Sequence, residues 1–400
     1  MKTISGGVTA PQGFKAGGTA CGIKKNQLPD LALIYSEVPA TAAGIFTTNR
    51  VQAAPVILSR EHLKKGRAQA IIGNSGNANA CVGATGIEAA RRMAVAAGKA
   101  LDISADAVLV ASTGVIGVPL PVEKIEKVLA GKADFISNSG SAAAAQAIMT
   151  TDTFPKEVAV EIELGGATVR IGGIAKGSGM IHPNMATMFG FITTDARIDQ
   201  VLLQKATAIA GKTSFNRITV DGDTSTNDCL FVLANGLAGN TPISSEDQDY
   251  QLFLQALTAV CLELAKMLAR DGEGATKLVE IKVGGAKTEE DAVRVGKSVA
   301  TSNLVKTALF GADANWGRIL AAVGYSGVEI DPERISIYLG DLPVYQQGVG
   351  LAFDETKAKQ ILSQNEVLVA IDLGDGQQAA SIWTCDLSYD YVKINGSYRS

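Results

Sequence analysis

The stretch Val158-Ala159-Val160-Glu161-Ile162-Glu163-Leu164-Gly165-Gly166-Ala167-Thr168-Val169-Arg170-Ile171 alternates apolar and other residues on both sides of a glycine pair. Alternation with period two places one set of side chains on a buried face, and adjacent glycines accept the backbone angles of a tight turn. The stretch is therefore a β-hairpin. Beyond it, Lys176-Gly177-Ser178-Gly179-Met180-Ile181-His182-Pro183-Asn184-Met185-Ala186-Thr187-Met188 leads into a second strand-like run, Phe189 to Thr194. Gly177, Gly179 and Pro183 fall within seven residues, which forces a sharp, irregular loop between two strands.

Helical signals alternate with these strands. Thr85 followed by Glu88 reads as a capping box that opens a helix carrying Ile87, Ala90, Ala94, Ala97 and Leu101 on one side. Asp199 precedes an apolar helical run, Val201 to Ala210. Leu278 to Val283 reads as a strand that ends at Gly284-Gly285 before a helix from about Glu289. Glu366 to Leu373, Gly374-Asp375-Gly376 and Ala379 to Leu387 read as another hairpin. The class is α/β. A chain of 400 residues exceeds one ordinary core. The charged, glycine-containing stretch Arg270-Asp271-Gly272-Glu273-Gly274 is the best boundary, giving a large domain over 1–280 and a smaller α/β domain over 281–400.

Composition narrows the chemistry. A net charge of −4 opposes nucleic-acid binding, and 5% aromatics leaves few platforms for base stacking. A small-molecule partner is expected. Five widely spaced cysteines without a C-x-x-C pair read as reduced, buried thiols. No uninterrupted apolar run of membrane-spanning length occurs, and the first residues lack an apolar signal core, so a cytoplasmic protein without membrane contact is expected.

With only His62 and His182 in the chain, a metal site of several histidines is excluded and a Ser-His-Asp hydrolase has almost no options. Thr187 offers another route. It follows a small residue at a loop-to-strand junction. Breaking the Ala186–Thr187 peptide would give Thr187 a free α-amine, with a pKa of roughly 7.7–8.0, beside its own hydroxyl. One residue would then supply nucleophile and general base. Acyl transfer also needs donors for the developing oxyanion. Ser112-Thr113-Gly114-Val115-Ile116-Gly117 follows an apolar run, where Gly114 can turn a backbone N–H toward a ligand and the Thr113 hydroxyl adds a second donor. Each feature alone also fits an ordinary strand end.

Taken in order, the stretches Gly6 to Pro11, Asn74 to Cys81, Ser112 to Gly117, Thr150 to Lys156, Lys176 to Met188, Asp221 to Asp228 and Arg270 to Lys277 resemble the glutamate N-acetyltransferases of arginine biosynthesis, also called ornithine acetyltransferases. The resemblance implies layered sheets and helices of the type shared with self-processing aminopeptidases. It implies self-cleavage into an α piece, 1–186, and a β piece beginning at 187, assembled as a heterotetramer of two αβ units. It implies ping-pong transfer of acetyl from N-acetylornithine to glutamate through an acetyl-Thr187 ester, with no cofactor and no metal. Some members also accept acetyl-CoA as donor. By resemblance, Thr113 and Gly114 form the oxyanion hole, while Thr153, Lys176, Thr187, Glu273, Asn395 and Ser400 contact substrate. A lysine suits a substrate carboxylate, and a carboxylate suits the ornithine side-chain amine.

Three other readings stay open at this level. A hydrolase of the same architecture would pass the acyl group to water. Ile218-Thr219-Val220-Asp221-Gly222-Asp223-Thr224 carries the acidic pair of a metal-dependent phosphotransferase, although Ser225 breaks that pattern. A non-catalytic protein would remain uncut. Asp221 to Asp228 is expected to be a hydrogen-bonded loop near the site.

Overall fold

The computed structural model describes residues 1–182 and 188–397. Nine strands form the first sheet: β1 (Lys2–Ile4), β2 (Phe14–Thr19), β3 (Leu31–Phe46), β4 (Arg67–Asn77), β5 (Val108–Val115), β6 (Lys156–Leu164), β7 (Ala167–Lys176), β8 (Phe189–Thr194) and β9 (Cys229–Ala234). Their order is β1-β6-β7-β8-β9-β3-β4-β5, with β2 paired to β3. The β4–β5 and β8–β9 pairs are parallel, and the others are antiparallel. Helices α1 (Ala54–His62), α2 (Ala84–Leu101), α3 (Val122–Val128), α4 (Ser141–Ile148), α5 (Gln200–Thr213) and α6 (Gln248–Arg270) accompany this sheet.

The hairpin read from 158 to 171 is β6–β7, in register from Lys156 opposite Ala175 to Leu164 opposite Ala167. Gly165 and Gly166 at its turn have φ of +55° and +79°, conformations that L side chains avoid. Alternation along the strands divides the core. Ile162, Val169, Ile171 and Ile192 pack with α5 and α6, whereas Ile174, Phe189, Phe191 and Phe231 pack with α4. Leu31, Leu33, Ile72 and Val110 meet the alanine-rich side of α2.

Helix α6 is, among the described residues, the one helix long and apolar enough to cross a membrane. Its apolar stripe of Phe253, Leu257, Val260, Leu264 and Leu268 is fully buried, and the helix lies against α5, β6 and β7. The Asp247 carboxylate caps its start by accepting the Tyr250 N–H at 3.1 Å.

A second, six-stranded sheet contains β10 (Leu278–Ala286), β11 (Ser336–Leu339), β12 (Leu342–Gln346), β13 (Val349–Gly350), β14 (Glu366–Asp372) and β15 (Gln378–Cys385). Helices α7 (Glu289–Ala300), α8 (Asn303–Phe310), α9 (Trp316–Gly324), α10 (Glu355–Leu362) and α11 (Tyr389–Ser397) complete the chain. Val279, Ile281, Val369 and Ile382 form its core with Val295 and Val299 of α7.

Three expectations are corrected here. The strands read as a C-terminal hairpin, β14 and β15, do not pair: β10 lies between them, parallel to β14 and antiparallel to β15. Their alternation is real, but the Gly374-Asp375-Gly376 turn carries the chain past an inserted strand. Thr85 lies inside α2, which Gly83 precedes, and its hydroxyl bonds the Val82 carbonyl at 2.7 Å. The cysteines also differ from the uniform burial expected: Cys229, Cys261 and Cys385 are buried, Cys21 is half-buried and Cys81 is exposed.

Leu264→Ala, which empties the α6 contact with the first sheet, is expected to cost about 2–5 kcal/mol, read as a lower urea midpoint.

Candidate active site

Strand ends of the first sheet and the segment after α6 converge on a cleft of about 240 Å³. Thr113 and Gly114 supply one wall from the end of β5. Gly114 has φ of +129°, and a Cβ there would lie 2.4 Å from the Gly76 carbonyl carbon, so only glycine fits. Buried amides fix this wall. The Asn227 amide donates to the carbonyls of Ala78 and Ser112, each at 2.6 Å. The Ser112 hydroxyl donates to the Asn74 side chain at 2.6 Å, and the Asn74 amide donates to the Asn77 carbonyl at 2.9 Å. Backbone donors held this firmly can face a developing charge without rearrangement.

Lys176 ends β7 and is almost completely buried at the cleft. Burial lowers its pKa, and the Asp152 carboxylate works in the opposite direction. Beneath it lies a buried charge cluster: Lys156 Nζ is 2.7 Å from Asp152 Oδ1 and 2.6 Å from Asp271 Oδ2. Asp152 also accepts the N–H groups of Gly177 at 2.7 Å and Thr150 at 2.9 Å. Burial alone would raise the Asp152 pKa, but Lys176 and Lys156 prevail and bring it down to about 2. Asp271 accepts the Thr153 N–H at 3.0 Å and the Thr153 hydroxyl. Its carbonyl accepts the Ser178 hydroxyl at 2.6 Å.

The loop after β7 is held from the other side. Asp221 accepts the N–H groups of Met180 at 2.6 Å and Ile181 at 2.9 Å, and it also accepts that of Asp223 at 3.2 Å. Thr219 donates to the Ile181 carbonyl at 3.1 Å and lies 3.0 Å from His182 Nδ1. Burial, aided by the positive charge of Lys297, lowers the His182 pKa to about 4, so the imidazole is neutral at physiological pH. Thr224 donates to the His182 carbonyl at 3.0 Å. The 221–228 segment is thus the cradle of the loop that leads toward residue 187. The Asp221 oxygens are occupied by backbone N–H groups, an arrangement of a structural carboxylate rather than of an acidic pair awaiting a metal. Among the described residues no group of His, Cys, Asp and Glu could hold a metal ion.

Glu273 reaches the cleft from beyond α6, and its carboxylate packs so closely on Gly179 that a Cβ there would lie 2.4 Å from Glu273 Cδ. The Asn395 amide of α11 donates to Glu273 Oε2 at 2.6 Å. Tyr391 of α11 also lines the cleft, its hydroxyl 3.4 Å from Asp221.

Of the residues singled out from sequence, Thr113, Gly114, Lys176, Glu273 and Asn395 therefore share one cleft. Thr153 does not line it: Thr150 and Thr151 do, while Thr153 holds Asp271. Ala186, Thr187 and Ser400 lie outside the described residues. Ile181 and Met188, on either side of 183–187, both line the cleft. The sequence reading assigned no role to Asp152, Lys156, Asn227 or Asp228. All four fall in stretches quoted for the resemblance, yet nothing in a linear pattern announces a partner more than a hundred residues away.

The ArgJ family profile matches residues 15–400. The arginine biosynthesis bifunctional protein ArgJ of Symbiobacterium thermophilum is 55% identical over 402 residues, covering 100% of both chains. That of Caldanaerobacter subterraneus is 52% identical over 404 residues, again covering 100% of both. Among solved structures, arginine biosynthesis bifunctional protein ArgJ from Bacillus halodurans is 48% identical with a TM-score of 0.52, covering 53% of this chain and 100% of its own. An ornithine acetyltransferase from Mycobacterium tuberculosis, complexed with ornithine, is 42% identical with a TM-score of 0.43, covering 47% of this chain and 98% of its own.

The layered α/β fold, the rigid donor wall and these relatives define an acyltransferase of arginine biosynthesis. The chain belongs to the ArgJ family.

Lys156→Met would leave Asp152 and Asp271 buried without their shared cation. The expected cost is about 3–5 kcal/mol, measured by urea unfolding. Asp152 has a folded pKa below its unfolded value of about 3.9. Its contribution to stability is therefore complete above about pH 4 and lost as pH falls toward about 2. Acid unfolding should show this decline in the wild type and a shallower one in Asp152→Asn.

Proposed function

We propose that the chain cuts itself between Ala186 and Thr187, giving pieces 1–186 and 187–400. Thr187 then carries acetyl from N-acetylornithine to glutamate. The observation that carries this reading is the convergence of Thr113–Gly114, Lys176 and Glu273 on a cleft that Ile181 and Met188 border from either side of the proposed cut. The solved Bacillus halodurans chain adds support: it is covered completely while matching just over half of this chain, the length expected of a single cleaved piece. The related ornithine acetyltransferase from Mycobacterium tuberculosis, solved in complex with ornithine, agrees with the proposed substrate.

In the first half-reaction the Thr187 hydroxyl attacks the acetyl carbonyl of N-acetylornithine while the Thr187 α-amine takes its proton. Backbone and hydroxyl donors at Thr113–Gly114 meet the oxyanion. The proton passes to the departing amine, ornithine leaves, and an acetyl ester remains on Thr187. The glutamate amine then attacks that ester through the same steps in reverse. Lys176 holds a substrate carboxylate, and Glu273, steadied by Asn395, meets the ornithine ammonium. One amide replaces another, so no cofactor is needed to drive the exchange.

The word bifunctional in the relatives' names favours a second activity, acetylation of glutamate from acetyl-CoA at the same threonine. The family resemblance further supports an assembly of two αβ units and a cytoplasmic location in keeping with amino-acid biosynthesis, while the charged stretch Arg270 to Gly274 supports a domain division near residue 280.

Thr187→Ala is expected to give an uncut chain by intact-mass analysis and to lower acetyl transfer at least about 10³-fold. Thr187→Ser should keep part of both activities. Ornithine release that depends on added glutamate identifies a transferase, and release that proceeds equally without it identifies a hydrolase. A Thr187→Ala protein that still splits and transfers acetyl overturns the mechanism.

A further inference from the structure

Self-cleavage meets a problem that acetyl transfer does not. Before the cut, Thr187 has no free α-amine, so the base used later does not yet exist. Another group must supply the proton that the departing amide nitrogen requires and accept the one that the hydroxyl releases.

The cleft offers few such groups. Asp221 has both carboxylate oxygens on backbone N–H groups. Glu273 is engaged by Asn395 and packed on Gly179. Asp152, beneath the cleft, is paired with Lys156. His182 is held by Thr219 at the approach to the loop. Asp228 differs from all of these. It lines the cleft, its residue is only 3% exposed, and its Oδ2 is a buried oxygen with no hydrogen-bond partner among the described residues. Its chain neighbour is also tied to the residue that follows the proposed cut: Asp228 precedes Cys229, whose N–H donates at 3.0 Å to the carbonyl of Met188.

We propose that Asp228, in its acid form, is the proton-transfer group of self-cleavage; this rests on the reading that the chain cuts itself at Ala186–Thr187. The Thr187 hydroxyl oxygen bonds to the Ala186 carbonyl carbon and the carbon–nitrogen bond breaks. The nitrogen receives the Asp228 carboxyl proton, and the hydroxyl proton returns to the Asp228 carboxylate. Asp228 thus begins and ends the step as an acid. A water molecule then adds across the resulting ester, leaving a carboxyl group on Ala186 and restoring the Thr187 hydroxyl.

The surroundings favour that acid form. Burial pushes the Asp228 carboxyl well above its usual range and outweighs both the Ser225 hydrogen bond and the opposing charge of Lys176. The other ionisable groups around the cleft are Asp221, Asp223, Glu273 and Tyr391, and Cys229 follows directly in β9. None of these adds a positive charge that would stabilise the carboxylate.

The test follows the cut itself. Wild type, Asp228→Asn, Asp228→Glu and Thr187→Ala chains are made by cell-free translation at several pH values and sampled over time on denaturing gels. Asp228→Asn is expected to slow cleavage by about 10²–10⁴-fold. Asp228→Glu, which keeps a carboxyl group, is expected to cleave faster than the asparagine variant. Wild-type cleavage should slow as pH rises through the Asp228 titration, a dependence the asparagine variant lacks. Cleavage of Asp228→Asn within about threefold of wild type overturns the proposal. If that variant fails to fold, carbon-13 resonances of labelled aspartate carboxyls in uncut Thr187→Ala decide. One that titrates well above the ordinary aspartate range, and is missing when Asp228→Glu is added, supports the proposal; absence of such a resonance overturns it. If Thr187→Ala itself splits after Ala186, it is the nucleophile assignment that has failed.

Discussion

Lys156 is the buried charge on which the cleft depends. It bridges Asp152 and Asp271, two carboxylates that come from opposite sides of the active-site floor. A carboxylate without a cation at that depth would carry a desolvation cost of several kcal/mol (on the order of 3–5 when one partner of such a pair is removed). The same two aspartates position what surrounds them. Asp152 holds the Gly177 N–H where the loop leaves β7, and Asp271 holds Thr153 and, through its carbonyl, Ser178. Lys176 can then sit buried above the cluster, its charge balanced by Asp152 rather than by water.

A second level of organisation uses backbone groups more than charge. The loop from Gly177 to His182 is gripped by the Asp271–Glu273 segment on one side and by Thr219, Asp221 and Thr224 on the other. The opposite wall is fixed by Asn74 and Asn227, whose amides join the ends of β4 and β5 to the start of β9. Amide side chains suit this purpose because they satisfy buried carbonyls without bringing a net charge. The cleft therefore has stiff walls on both sides, a condition for electrostatic stabilisation of a transition state.

The sequence made part of this legible, for physical reasons. The β6–β7 hairpin could be read because its alternation and glycine turn are local. The irregular loop after Lys176 could be read because Gly177, Gly179 and Pro183 restrict the backbone wherever they occur. Thr113, Gly114, Lys176, Glu273 and Asn395 came together only through family resemblance, since nothing in their spacing brings them to one place. The Lys156 cluster was not legible, because a buried ion pair is defined by burial and by a partner 115 residues away. Thr153 shows the same limit in reverse: it belongs to a stretch shared with the family, yet it holds Asp271 instead of lining the cleft. The mistaken pairing of β14 with β15 arose because their alternation describes each strand alone and says nothing of what lies between them.

That inserted strand governs the order in which the molecule can be completed. β10 is central in the second sheet, but both of its neighbours, β14 and β15, come from far downstream, Glu366–Asp372 and Gln378–Cys385. As the chain emerges during synthesis, β10 waits with both edges bare until residues 366–385 arrive. Tyr391 and Asn395 follow later still, so the wall they contribute is the final part of the cleft to be put in place. An uncut chain cannot possess its whole reaction chamber until Asn395 has been translated.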